Sequence, residues 1–98
     1  MSKTIDQAFA ELNEAMAPDQ RVWLIERSKY GHWGVAIVRD LPPEEWPEPD
    51  LFGVIPESDK WRTISYRRHE DLAQAISDVA QEVRIYNNPE QDPEAAGS

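Results

Sequence analysis

The chain has 98 residues, and its 40% apolar content with four Trp, three Tyr and two Phe is enough for one small hydrophobic core, so a wholly disordered protein is not expected. It has no cysteine, which excludes disulfides, thiolate metal ligands and cysteine nucleophiles. The sequence shows neither a signal peptide nor an apolar run of membrane-spanning length, so we expect a cytoplasmic protein that does not enter membranes.

The net charge of −9 is concentrated in two parts of the chain. Residues 40–60 contain seven acidic residues and one lysine, a net −6, and residues 87–98 contain three acidic residues and no base, a net −3. Acids and bases balance in the remaining residues. The excess acid therefore lies in one internal segment and one terminal tail.

The first predicted element is a helix over residues 5–17, in "TIDQAFAELNEAMAP". Thr4 suits the N-cap position, and Gln7 three residues later completes a capping box. Pro18 ends the helix. The apolar residues repeat at helical spacing and form one stripe: Ile5, Ala8, Phe9, Leu12, Ala15 and Met16.

Three strands follow the first helix. "RVWLIERSK" and "HWGVAIVR" are rich in β-branched and aromatic residues and flank a Tyr30–Gly31 turn, which predicts an antiparallel hairpin. "KWRTISYRR" predicts a third strand from Trp61 to Arg67, and "FGVI", residues 52–55, is an optional fourth.

A second helix is predicted in "HEDLAQAISDVAQEVRIY", with an apolar stripe of Leu72, Ala75, Ile76, Val79 and Val83. Asn87, Asn88 and Pro89 end it, and residues 87–98 are expected to be a disordered acidic tail.

The elements predict an α+β fold: a two-layer sandwich of two helices on an antiparallel three- to four-stranded sheet, in the order α-β-β-(β)-β-α. Residues 1–86 form the single domain, with an acidic, Pro/Trp-rich insertion at 41–60. Double-stranded-RNA-binding domains have this element order, but "RRHEDLAQ" has two acids and lacks their lysine pattern, so the chain is not assigned to that family.

Strand alternation divides the sheet residues into two predicted faces. The predicted helix-covered set is Val22, Leu24, Ala36, Val38, Ile64 and Tyr66. The other set contains Ile25, Val35, Ile37, Thr63 and Ser65, together with six candidate core or interface residues, Trp23, Arg27, Trp33, Arg39, Trp61 and Arg67. This second face is too apolar to remain in water, so we expect a partner, a second copy or the insertion to cover it.

The insertion, which is "LPPEEWPEPDLFGVIPESDK", contains five prolines and six acidic residues. We expect it to be a lid that packs Leu41, Trp46, Leu51, Phe52 and Ile55 over the second sheet face; a loose connector and a free partner-binding arm are the alternatives. Aromatic residues among acids are typical of interfaces. The partner-binding candidates are Asp40, Glu44, Glu45, Trp46, Glu48, Asp50, Phe52, Glu57 and Asp59.

No motif predicts catalysis. His32 and His69 lack a second ligand at metal-binding spacing and are expected to be surface or capping residues. The acids of the insertion lack the ligand spacing and central glycine of an EF-hand. We expect no enzyme activity, no metal and no cofactor, and the acidic charge disfavours direct binding to nucleic acid.

The sequence therefore suggests a small, acidic, non-catalytic protein that binds a basic patch on another protein, as a monomer or homodimer. In its most specific form it is an inhibitor or decoy that occludes a nucleic-acid-binding surface, as anti-defence (anti-CRISPR-like) and nuclease-immunity proteins do. The alternative is an adaptor or structural assembly component that uses the Trp-rich sheet face, with acidity serving only solubility.

Overall fold

A computed structural model describes residues 3–89, and in this range the fold is the predicted α+β sandwich. The elements run in the order α-β-β-β-α. They are α1 (Ile5–Ala15), β1 (Gln20–Arg27), β2 (Trp33–Asp40), β3 (Trp61–His69) and α2 (Leu72–Asn87), with short 3₁₀ turns at Pro43–Glu45 and Glu57–Asp59.

The predicted capping box opens α1. The Gln7 backbone N–H donates to Thr4 Oγ1 at 3.1 Å, and the Thr4 backbone N–H donates to Gln7 Oε1 at 3.0 Å. These two bonds satisfy donors that the first helical turn leaves free. The helix ends at Ala15, two residues earlier than predicted, because Met16 already has an extended backbone.

The sheet of the described residues has three antiparallel strands in the order β1-β2-β3. Gly31, with φ +86°, allows the tight turn between β1 and β2, where the Ser28 N–H donates to the His32 carbonyl at 2.8 Å. The optional strand at residues 52–55 does not form; that stretch is part of a turn and an irregular return to the sheet.

The helices cover one face of the sheet. α2 packs across β2 and β3, and α1 packs beside α2. Most of the predicted stripe of α2 lies in the core with Leu12 of α1 and Val35 and Ile37 of β2. Ala75, Ile76, Val79 and Val83 of the stripe have no exposed surface, nor do these three residues, whereas Leu72 is only partly buried. No helix of residues 3–89 is long and apolar enough to span a membrane.

The predicted assignment of sheet faces is wrong for β2. Val35 and Ile37 pack against the helices, whereas Ala36 and Val38, predicted to face them, lie on the opposite side. Leu24 and Tyr66 also lie on that opposite side, because both pair with Ala36 in the sheet. Val22 and Ile64 do pack against the helix-side core, as predicted.

Two features explain this error. The central strand is buried on both faces, with Val35, Ala36, Ile37 and Val38 at 0–3% exposure, so its alternation does not reveal which side meets the helices. The neighbouring strands also shift register, between Val22 and Leu24 in β1 and opposite Ile37 and Val38 in β3. Each bulge reverses the alternation beyond it.

The last helix extends one residue further than predicted. Asn87, assigned to the tail, is the final residue of α2, and its side chain bonds to β1. The predicted disorder of residues 90–98 lies outside the described residues.

Candidate partner-binding surface

The segment 41–60, called the acidic loop from here on, leaves the sheet after β2 and returns before β3. Its two ends are joined, because the Leu41 N–H donates to the Lys60 carbonyl at 2.8 Å. Trp46 closes the base: its indole N–H donates to the Leu41 carbonyl at 2.8 Å, and Lys60 Nζ lies 4.8 Å from the ring centroid. The base of the loop is therefore fixed to the domain.

Asp50 organises the tip of the loop into a compact turn. Its Oδ1 accepts from the backbone N–H groups of Phe52 at 2.8 Å and Val54 at 3.0 Å. Its own N–H donates to the Val54 carbonyl, and the Gly53 N–H donates to its carbonyl, each at 3.0 Å. Gly53 has φ +76°, a conformation that favours glycine. These local bonds hold the turn without help from the sheet.

The turn directs apolar side chains into solvent. Leu51 is 100% exposed and Phe52 is 88% exposed. Val54 beside them is also exposed. The prediction of a lid over the sheet is therefore wrong for the tip. Of the apolar loop residues expected to cover the sheet, only Leu41 is buried.

The physical reason for the projection lies in the loop sequence. Pro47, Pro49 and Pro56 restrict the backbone of the two arms to extended conformations. The Asp50 turn then reverses the chain at a distance from the sheet. The Asp-Leu-Phe-Gly order is itself a turn signal, although the sequence prediction did not include it. It would have pointed to Leu51 and Val54 as exposed neighbours of Phe52.

The acidic side chains of the candidate set divide into paired and unpaired groups. Asp40 pairs with Arg21 at 3.1 Å, Glu45 with Arg39 at 3.3 Å, and Glu57 with Lys60 at 3.0 Å. Asp50 is occupied by the turn. Four exposed acids of the candidate set make no salt bridge within residues 3–89: Glu44, Glu48, Asp50 and Asp59. All four carry a charge that no described cation neutralises, and only Asp50 among them is held by hydrogen bonds, so the side chains of Glu44, Glu48 and Asp59 are free to contact a partner.

Arginine links the loop base to the rest of the domain. Half-buried Arg39 binds Asp19 at 3.1 Å as well as Glu45. The hydrogen bond to Asp19, followed by the charge of Glu45, raises the pKa of Arg39. The hydrogen bond to Asp40 likewise raises the pKa of Arg21. Both arginines therefore stay charged, and both neutralise acids close to the sheet rather than at the loop tip.

The six sheet-face candidates do not form one surface. Trp23 and Trp61 meet above β2 on the face away from the helices, with ring centroids 4.9 Å apart and an interplanar angle of 39°. Trp33 faces the helix side, where the Arg27 guanidinium lies 5.8 Å from its ring centroid. Arg67 pairs with Glu82 of α2. A continuous three-tryptophan platform, as the sequence suggested, is not present in the described residues.

Both histidines contact residues just before the start of α2. His69 Nδ1 accepts from the Asp71 N–H at 2.9 Å, next to the start of α2, and His32 Nε2 lies 3.7 Å from a carboxylate oxygen of Glu70. Within residues 3–89, no three His, Cys, Asp or Glu side chains converge closely enough to hold a metal ion.

No family model, curated protein or solved structure matches this chain.

Proposed function

We propose that this chain is a small non-catalytic protein-binding protein whose acidic loop contacts a basic surface of another protein. The observation that carries the proposal is the full exposure of Leu51 and the 88% exposure of Phe52 at the tip of a segment that holds most of the net charge. Apolar side chains held in water are typical of interaction sites. The surrounding carboxylates select a partner with lysine or arginine around an apolar pocket.

The tip and the unpaired acids have different roles in this proposal. Glu44, Glu48 and Asp59 attract a cationic partner at long range, which raises the association rate at low salt. Phe52 and Leu51 then enter an apolar pocket and slow dissociation. The hydrogen-bonded turn at Asp50 reduces the entropy lost when the tip is immobilised.

In its most specific form, the proposal is an inhibitor or decoy that occludes a nucleic-acid-binding surface. Surfaces that bind phosphates are rich in lysine and arginine, so they also attract carboxylates, and an acidic protein can act there as a nucleic-acid mimic. Anti-defence (anti-CRISPR-like) and nuclease-immunity proteins work in this way. The support is the size of the chain, its net charge of −9 and the outward acids of the loop.

Affinity capture from source cells at two salt concentrations tests the proposal. Glu44→Gln/Glu48→Gln should reduce capture at low salt, and Leu51→Ser/Phe52→Ser should reduce it at both concentrations. Asp6→Asn/Glu14→Gln is the matched control, because it removes two exposed charges from α1. The purified partner should lose its nucleic acid when the wild-type chain is added. Capture that survives both loop variants would disprove the proposal.

A second candidate function is an adaptor that uses the sheet face opposite the helices. Trp23 is 48% exposed and Tyr66 is 42% exposed on this face, although the Trp23–Trp61 pair covers part of it. In this case Tyr66→Ser would reduce capture more than either loop variant, and capture would be insensitive to salt.

A further inference from the structure

The two edge strands of the sheet differ in charge. β3 carries Arg62, Arg67 and Arg68 and no acid, so antiparallel pairing with a second β3 about Ser65 would place Arg62 opposite Arg68. Cations on an edge protect it against such pairing. β1 instead carries charges of both signs, and among the described residues it pairs only with β2. The outer backbone edge of β1 is therefore open and not protected by like charge.

The bulge in β1 arranges its side chains in a self-complementary order. Arg21 pairs with Val38 and Glu26 with Gly34, so both side chains lie on the sheet face opposite the helices. In a regular strand, residues five positions apart would lie on opposite faces. The extra residue of the bulge, Trp23, shifts the alternation by one position, so that Arg21 and Glu26 lie on the same face. Val22 and Ile25 share the helix-side face in the same way, because they pair with Ile37 and Val35.

We infer that β1 pairs antiparallel with β1 of a second copy, about a twofold axis between Trp23 and Leu24. In this register Arg21 of each copy lies opposite Glu26 of the other, and Val22 lies opposite Ile25. Each contact occurs twice, as an isologous interface requires. Opposite charges and aliphatic pairs placed directly across two strands stabilise a sheet.

The side chains at this edge are available for these contacts. Trp23 is 48% exposed and Ile25 is 37% exposed, although both belong to a strand. Arg21 uses Nε and Nη2 to bind Asp40, and its Nη1 donates no hydrogen bond within residues 3–89, so it is free to reach a second carboxylate. The bulge interrupts the backbone ladder at the centre. Pairing therefore depends on two short arms, residues 20–22 against residues 25–27.

Sedimentation velocity of the full chain over a range of concentrations tests this pairing. Charge-reversal variants of Arg21 and Glu26 are measured alone and as an equimolar mixture. The wild-type chain should dimerise. Arg21→Glu alone and Glu26→Arg alone each put like charges together at both contacts, and each should weaken the dimer about tenfold or more. An equimolar mixture of the two variants should recover wild-type association, because both contacts then join opposite charges.

Further variants separate this surface from the others. Ile25→Glu leaves the Arg21–Asp40 bond in place and should also weaken the dimer, so a folding defect of Arg21→Glu does not decide the test. Arg68→Glu on β3 and Leu51→Ser/Phe52→Ser in the acidic loop should leave sedimentation unchanged. A wild-type chain that stays monomeric at about millimolar concentration, at which even weak association is populated, overturns the inference. A dimer that is unaffected by the charge reversals, or not restored by mixing, also overturns it. None of these outcomes depends on the proposed partner of the loop.

Discussion

The side-chain amides of Gln20 and Asn87 hydrogen-bond to each other in both directions, with 2.7 Å from Gln20 Nε2 to Asn87 Oδ1 and 2.9 Å from Asn87 Nδ2 to Gln20 Oε1. Each amide also binds backbone near the end of α1. The Ala17 N–H, just after the helix, donates to Gln20 Oε1, and Asn87 Nδ2 donates to the carbonyl of Ala15, the last helical residue, each at 2.8 Å. The pair therefore joins the end of α1, the start of β1 and the end of α2.

We expect Asn87→Ala to lower the free energy of unfolding by about 1–3 kcal/mol, because it leaves polar groups of Gln20 and Ala15 without partners at a part-buried site. Urea denaturation measures the loss. Asn88→Ala is the matched control, since its exposed side chain donates only to the Arg84 carbonyl, and it should cost far less. Equal losses for the two variants would contradict this role of the amide pair.

Ser65 places a hydroxyl in the apolar layer between sheet and helices. It is 4% exposed and pairs with Ile37, and its Oγ has no hydrogen-bond partner among the described residues. A buried hydroxyl without a partner is unfavourable, so Ser65→Ala should raise the free energy of unfolding by about 1 kcal/mol. Thermal denaturation checks this, with exposed Ser58→Ala as the control. A clear loss of stability in Ser65→Ala would show that the hydroxyl is satisfied.

Substitutions at the base and at the tip of the acidic loop should differ in their effect on the free energy of unfolding. Trp46→Ala removes a half-buried ring and its bond to the Leu41 carbonyl, and should lower the free energy of unfolding by about 1–2 kcal/mol. Phe52→Ala should change it by less than about 0.5 kcal/mol, because the ring touches little of the domain. Chemical denaturation of both variants makes the comparison. A destabilised Phe52→Ala would indicate that the tip packs on the sheet after all.

A surface ion pair gives α1 a dependence on pH. Lys3 Nζ lies 2.7 Å from Glu11 Oε2, and this hydrogen bond is the main reason that the pKa of Glu11 is lowered. Because the folded-state pKa is the lower one, the contribution to stability is present above the unfolded-state pKa and disappears as pH falls through the folded-state value. Denaturation of wild type and Glu11→Gln at several pH values should show a difference that shrinks towards acid pH. A difference that does not change with pH would exclude the linkage.

The sequence was sufficient for the element order and the two helices. The Thr4–Gln7 capping box and the α2 stripe are local signals, and both are present as predicted. A period of 3.6 residues can be read along one helix because a single face is apolar. The antiparallel hairpin was predictable for a similar reason, since its turn lies next to its strands.

The sheet faces and the acidic loop could not be predicted in the same way. Val35 to Val38 form an unbroken apolar run that has no single buried side, and the bulge at Trp23 depends on pairing with β2. In the loop, Leu51 and Phe52 are predicted to pack over the second sheet face, because that face is too apolar to remain in water. Their exposure follows from the Asp50 turn, whose hydrogen bonds reverse the chain away from the sheet.

The hydrogen bond between Leu41 and Lys60 has a consequence for how such a domain can change. Because the two ends of the acidic loop already meet just beyond the Asp40–Trp61 pair that ends the β2–β3 ladder, a different segment could replace it without altering the strands on either side. The free-energy cost of closing a loop changes little with its length, since the entropy term grows only logarithmically. The helices and sheet can therefore stay constant while the loop is exchanged, and under the proposed function such an exchange would change the partner without changing the fold.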